Sequence, residues 1–166
     1  MAIQDILEKA KSFHLADDVI QERELARESF VKKFPIDKIK DLTIDQFVQG
    51  TDGNSFCYWL EFNKIGFGIG GGNASKFDIY RTNIDGKSVY VKGFGKKKII
   101  LSQEDANSEF EKLKSQIILA LDYVKKGEID KIRSLNIPMW PMVTQKILSI
   151  YYPDKFLTIG SSVIII

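Results

Sequence analysis

The residues best suited to bind a charged ligand lie in the run Gly86–Lys98, GKSVYVKGFGKKK, which contains five lysines and no acid. Gly93 and Gly95 flank Phe94, so the run predicts a basic loop with one aromatic side chain at its tip. Lysines that neutralise phosphates dominate binding to a nucleic-acid backbone. The alternative is an ordinary solvated loop. The predicted phosphate contacts are Lys92, Lys96, Lys97 and Lys98.

A second candidate surface combines aromatic and charged side chains on three predicted strands, Ser55–Phe62, Lys76–Arg81 and Ser88–Lys92. Side chains alternate between the faces of a strand, so one face of a shared sheet is apolar and the other is not. Aromatic rings on such a face provide stacking platforms for bases. The alternative is that the long helix covers this face and the aromatic residues are packing. Asp78 and Glu61 are predicted to lie on the same face without being contacts. The predicted contacts there are Trp59, Lys76, Tyr80, Tyr90 and Lys92.

Catalytic and metal-binding chemistry lacks its usual residues in this sequence. His14 is the single histidine and Cys57 the single cysteine, so Ser-His-Asp, Cys-His and zinc arrangements are incomplete. Gly66, Gly68 and Gly71 spell G-x-G-x-x-G, but a strand rather than a helix is predicted to follow, and the Gly-Lys-Ser/Thr of a P-loop is absent. We therefore expect no enzyme activity, no metal site and no cofactor in this chain.

Composition sets the outer limits of the interpretation. The chain has 166 residues and a formal charge of +2, which suits one domain and gives no overall electrostatic preference for a partner. A lone cysteine fits a reducing compartment. The N-terminus lacks the pattern of a signal peptide, and no apolar run approaches the ~20 residues of a membrane span. We expect a cytoplasmic protein without a membrane partner.

The spacing of apolar residues predicts an α+β fold: a small, mostly antiparallel sheet packed by a long helix, with additional N- and C-terminal helices. Residues 1–34 are predicted to form a helical arm, and residues 35–166 the α+β domain. Ser102 is predicted to cap the long helix, which ends at Gly127. A last short strand is predicted at Phe156–Ile159. The residues expected to be buried are Phe56, Tyr58, Leu60, Phe77, Ile79, Val89 and Val91, against Leu113, Ile117 and Leu121 of the long helix.

Four segments together resemble the N-terminal region of McrB-type proteins, the nucleotide-driven subunits of modification-dependent restriction systems. They are FPIDKIKDLT at 34–43, SFCYWLE at 55–61, the stretch from Gly71-Gly72 to KFDIY at 71–80, and KILSIYYPDKF at 146–156. The resemblance spans roughly residues 34–159. The family pattern has glycine where this chain has Asp78. The motor of that family has no counterpart here.

The resemblance implies a DNA-recognition module of a defence system, and its partners would be DNA, an AAA+ motor domain in the same chain and a nuclease subunit. A modified base differs from its parent by a small group such as a methyl, which an aromatic pocket around Trp59 and Tyr80 would sense, even on a base flipped out of the duplex. The alternative is a protein-interaction or assembly module without nucleic-acid contact.

Overall fold

The structure is a computed structural model that describes residues 17–50, 53–62 and 74–156. Its α-helices are α1 (Asp17–Lys33), α2 (Ile44–Phe47), α3 (Phe56–Phe62), α4 (Gln103–Lys126) and α5 (Pro141–Tyr151). Its strands are β1 (Ile79–Ile84), β2 (Lys87–Lys92) and β3 (Ile99–Leu101). Short 3-10 helices cover Ile36–Asp41, Ala74–Phe77, Gly95–Lys97 and Ile129–Ser134. The predicted α+β class is confirmed.

The sheet is antiparallel, with strand order β1-β2-β3. Strands β1 and β2 form a hairpin, and Tyr80 lies opposite Val91 in its register. Asp85 and Gly86 have φ angles of 50° and 77°, as a type I′ turn between twisted strands requires. The short strand β3 pairs with the end of β2, which places it at the edge of the sheet.

Helix α4 follows the prediction from its capping residues to its buried stripe. The Ser102 hydroxyl accepts a hydrogen bond from the Asp105 backbone N–H at 3.0 Å, and Gly127 ends the helix with φ 76°. The helix packs against β2 and β3. Residues spaced by three and four positions form its buried face: Phe110, Leu113, Ile117, Leu121 and Val124.

The predicted strand Ser55–Phe62 is wrong, because this segment is helix α3. The Ser55 hydroxyl accepts a hydrogen bond from the Tyr58 backbone N–H at 3.3 Å, and the Ser55 carbonyl accepts one from Trp59 N–H at 3.0 Å. Phe56 and Leu60 are one helical turn apart and both are fully buried, so the apolar positions fit a helix as well as a strand. The next predicted strand begins late, at Ile79, because Lys76 and Phe77 belong to a 3-10 helix.

One hydrophobic core joins the helices to the sheet. Phe56 lies at its centre, with ring centroids of Phe30, Phe34 and Phe47 each 5.2 Å from its own. Phe30 is fully buried, so α1 belongs to the same core as the rest of the fold. Of the residues expected to be buried, Tyr58 and Val89 are only partly so, and the others are buried.

Two predictions extend beyond the described residues. The helical stripe predicted within residues 1–16 lies outside them, although the Asp17–Lys33 part of the arm is helical as expected. Phe156 forms an isolated bridge, and residues 157–159 of the predicted last strand also lie outside. None of the helices in the described ranges has the combined length and apolar character needed to cross a membrane.

Candidate nucleic-acid interface

The lysine-rich loop, residues 93–98, connects β2 to β3 in a tight conformation that glycine makes accessible. Gly93 has φ 89°, and a Cβ on it would lie 2.7 Å from the Lys97 carbonyl oxygen, so a side chain there would clash with backbone. The Gly93 N–H donates to the Asp78 carbonyl at 3.0 Å, and the Lys97 N–H donates to the Phe94 carbonyl at 3.1 Å. The loop is therefore a folded turn anchored to Asp78, the residue before β1.

Three lysines of this loop are exposed and hold their charges toward solvent: Lys96, Lys97 and Lys98. The ion pairs between residues in the described ranges include none of them. Lys98 Nζ lies 6.0 Å from the centroid of the Tyr80 ring, a weak cation–π distance. Three like charges on consecutive residues, without a carboxylate partner there, give a local positive surface that a phosphate backbone would neutralise.

An exposed aromatic pair, Phe94 and Trp140, includes a residue of this loop. The two ring centroids are 6.2 Å apart with an interplanar angle of 80°. Phe94 is 57% exposed and Trp140 is 38% exposed. Sequence patterns assigned no function to Trp140; the only signal was its position between Pro138 and Pro141, at the start of a helix. Because the partner ring is far away in sequence, spacing alone did not reveal the pair.

Lys92, also predicted as a phosphate contact, is already engaged by carboxylates. Its Nζ donates to Glu109 of α4 and lies 3.6 Å from Asp78 Oδ2. Burial works to lower its pKa, but the hydrogen bond to Glu109 and the charge of Asp78 prevail and raise it. Lys92 therefore joins the hairpin to α4 in this structure, and its predicted phosphate contact would require those ion pairs to open.

Glu109 should make the stability of the fold sensitive to acid. Hydrogen bonds from Lys112 and Lys92 lower its pKa from 4.5 to about 2. A carboxylate with a lowered pKa stabilises the folded state above its ordinary pKa, and this contribution disappears as pH falls from about 4.5 toward 2. Because the side chain is partly exposed, we expect Glu109→Gln to remove only ~1 kcal/mol of stability at neutral pH.

Urea unfolding of the wild type and of Glu109→Gln across this pH range tests that expectation. The difference between the two proteins should shrink as the pH falls. Glu111→Gln is a suitable control because Glu111 lies on the same helix, also pairs with a lysine and has a more exposed carboxylate than Glu109. A constant difference at every pH would show that Glu109 contributes packing rather than charge.

The predicted aromatic and basic sheet face does not exist as one surface. Tyr80 and Tyr90 are both 5% exposed, and the register places them on opposite faces of the sheet, Tyr80 beside Val91 and Tyr90 beside Arg81. The Tyr90 hydroxyl donates to Asp45 at 2.5 Å. Trp59 lies on α3, half-buried, with its ring 6.2 Å from that of Phe34 and 4.4 Å from Lys33 Nζ. Base contacts by these aromatic residues stay a prediction, but the shared sheet face on which that prediction was based is absent.

Lys76, predicted to be exposed on that face, is fully buried instead. Its Nζ forms an ion pair with Glu61 of α3. Lys146 of α5 lies in the same region, and its Nζ donates to the Leu60 carbonyl at 2.6 Å. Burial, together with the charge of Lys76, lowers the pKa of Lys146 to about 8. These two lysines serve the core, one by pairing with a carboxylate and the other by capping the C-terminal end of α3.

Position 78, where the resemblance implies glycine, has a backbone that favours glycine. Asp78 has φ 68°, in the left-handed region where most side chains are strained, although Asp tolerates it better than most. Its N–H donates to the Ser75 carbonyl at 3.0 Å, which closes the turn into β1. Burial raises the pKa of the Asp78 carboxyl, against the opposing charge of Lys92. The aspartate thus keeps the turn and adds an ion pair to it.

No cluster of three or more potential metal-ligating side chains occurs within the described ranges. Comparisons with protein-family models, with curated proteins and with solved structures found no match for this chain. The similarity to McrB-type N-terminal regions therefore rests on the four sequence segments alone. The geometry of the lysine-rich loop and its aromatic pair is the remaining basis for a functional proposal.

Proposed function

We propose that this chain is a DNA-binding module of a McrB-like restriction system and that the lysine-rich loop is its phosphate-binding element. The observation that carries the proposal is the set of three exposed lysines, Lys96, Lys97 and Lys98, with no ion pair to any carboxylate in the described ranges. Uncompensated surface charge of one sign raises the local concentration of an oppositely charged partner and steers its approach.

The shape of the loop supports the same proposal. Its backbone is restrained by hydrogen bonds from Gly93 to Asp78 and from Lys97 to Phe94. A restrained loop loses less conformational entropy when it binds than a loose one does. An AAA+ motor and a nuclease subunit enter as partners only through the sequence resemblance, together with the role in defence against modified DNA.

A second candidate function, protein assembly, has its own supporting observation. The edge strand β3 exposes Ile99 and Ile100, and an uncovered edge with apolar side chains can pair with another chain. The lysines preceding β3 disfavour pairing of this edge with a basic or neutral chain. They permit pairing with an acidic chain. Sedimentation of the purified protein over a range of concentrations would detect self-association through this edge.

Fluorescence anisotropy with a labelled duplex and the matching single strand tests DNA binding directly. We expect binding whose affinity falls steeply as salt is raised, because lysine–phosphate contacts release counterions. A polyanion without bases, such as heparin, should compete at low salt. Absence of binding to either oligonucleotide at low salt would contradict the proposal and leave the assembly function as the better account.

A further inference from the structure

We propose that Phe94 and Trp140 form a stacking site for an unpaired nucleic-acid base, next to the phosphate-binding lysines. The inference rests on the proposed function and adds the class of ligand: a strand whose bases are not stacked in a duplex.

The geometry of the pair suits stacking on an added ring. An interplanar angle of 80° at 6.2 Å is an edge-to-face contact, so the two rings do not cover each other's faces as a parallel stack would. Large aromatic side chains this exposed are unusual for packing residues, whereas other aromatics such as Phe56 and Phe110 are buried. An unpaired base could extend the pair by stacking on an available face.

The backbone at both aromatic residues is restrained before any ligand arrives. The Trp140 N–H donates to the Lys76 carbonyl at 3.0 Å, and the Val143 N–H donates to the Trp140 carbonyl at 2.8 Å, so Trp140 is fixed at the start of α5. The backbone of Phe94 is held in the turn between Gly93 and Gly95, which have φ angles of 89° and 58°. Restraint before binding reduces the entropy lost when a base stacks.

Charge favours a nucleic acid over a protein as the occupant. Phe94 is followed within four residues by Lys96, Lys97 and Lys98, and the run of residues 86–98 contains no acid. A base on the aromatic pair would bring its own phosphates toward these lysines, whereas an apolar protein segment would leave them uncompensated. Bases inside a duplex have both faces covered, so the site selects unpaired ones.

Tryptophan fluorescence provides the test. The chain has two tryptophans, so the variant Trp59→Phe leaves Trp140 as the sole reporter. The probes are a single-stranded oligothymidine and an abasic oligonucleotide of the same length. Oligothymidine should quench Trp140 and bind about ten-fold or more tightly than the abasic strand, because stacking on one aromatic contributes that much.

The variants are made in the wild-type chain and followed by anisotropy. Trp140→Ala and Phe94→Ala should each weaken oligothymidine binding by about ten-fold and leave the abasic strand unaffected, while Trp140→Phe retains most of the affinity. Phe62→Ala is the matched control: Phe62 is also exposed and also pairs with a neighbour, Tyr58, at 4.9 Å, but it lies on α3 outside the loop.

Each outcome separates the stacking site from the proposed function. Equal affinity for oligothymidine and the abasic strand, unchanged in Trp140→Ala, would overturn the stacking site and leave the lysine loop standing. No binding to either single strand, with duplex binding intact, would overturn the stacking site alone, and no binding to the duplex either would overturn both. If Trp140→Ala lowers the melting temperature, Phe94→Ala decides, and an unchanged oligothymidine affinity in that folded variant refutes the site. If Trp140→Ala or Phe94→Ala abolishes self-association but keeps the affinity for the strand, the aromatic pair is a protein contact. That result would also refute the stacking site.

Discussion

Lys76→Met is expected to lower the free energy of unfolding by ~3–5 kcal/mol, the cost of breaking a buried ion pair by removing one partner. Lys76 is fully buried, and its partner Glu61 is largely so. Without the ammonium group, the buried carboxylate of Glu61 loses its ion-pair partner, and its Oε2 has no hydrogen-bond partner among the described residues. Thermal and urea unfolding measure the loss.

Two further variants make this result specific. Lys96→Met removes an exposed lysine and should change stability by less than ~0.5 kcal/mol, as surface substitutions do. The double variant Lys76→Met with Glu61→Leu removes both charges and should recover part of the loss, because no carboxylate is left unpaired. If Lys76→Met is as stable as the wild type but binds DNA more weakly, Lys76 is a DNA contact as the sequence predicted. That result would contradict its burial.

The elements that sequence patterns predicted correctly carry their signals locally. The capping of α4 by Ser102 and its end at Gly127 each depend on a few adjacent residues. The turn at Asp85-Gly86 and the capping box of Thr43 and Gln46 are equally local features of the structure. These features are independent of which distant elements pack nearby, so the sequence alone was sufficient.

The segment 55–62 shows where local patterns are insufficient. Its aromatic and apolar residues satisfy a strand alternation and a helical turn equally, and the choice depended on the packing of Phe56 among three other phenylalanines. Because this segment was predicted as a strand, the positions predicted for side chains on and beside it were also wrong. Trp59 lies on a helix and not on a strand. Lys76 is buried, and it pairs there with Glu61 of α3.

In the candidate site too, features formed by consecutive residues were predicted and features formed by distant residues were not. The lysine run was recognisable because its residues are consecutive, and three of the four predicted lysines are exposed as expected. Lys92 is the exception, since its neighbours Glu109 and Asp78 come from elsewhere in the chain. The Phe94–Trp140 pair forms only where the lysine-rich loop lies near the start of α5, so no spacing in the sequence indicated it.

Replacing Lys96, Lys97 and Lys98 together by alanine is expected to have the largest effect on DNA binding. If each lysine neutralises one phosphate, the slope of log affinity against log salt becomes shallower by about 2.7, at ~0.9 for each contact on B-DNA. Affinity should fall for all sequences alike, because phosphate contacts position the protein without reading bases. Stability should change little, because the three side chains are exposed.

A matched control has the same change in net charge. Lys40, Lys125 and Lys126 are exposed lysines outside the lysine-rich loop, and their triple alanine variant also removes three positive charges. If overall charge alone attracts DNA, the two triple variants will weaken binding equally. If the loop is the contact, the control will retain most of the affinity.

The salt dependence of duplex binding, measured in parallel for the wild type and these two triple variants, tests the central claim most directly. The proposed interface predicts a slope shallower by about 2.7 for the loop variant and a nearly unchanged slope for the control. Identical slopes and affinities for the wild type and the loop variant would contradict it, and would remove Lys96, Lys97 and Lys98 from any DNA interface.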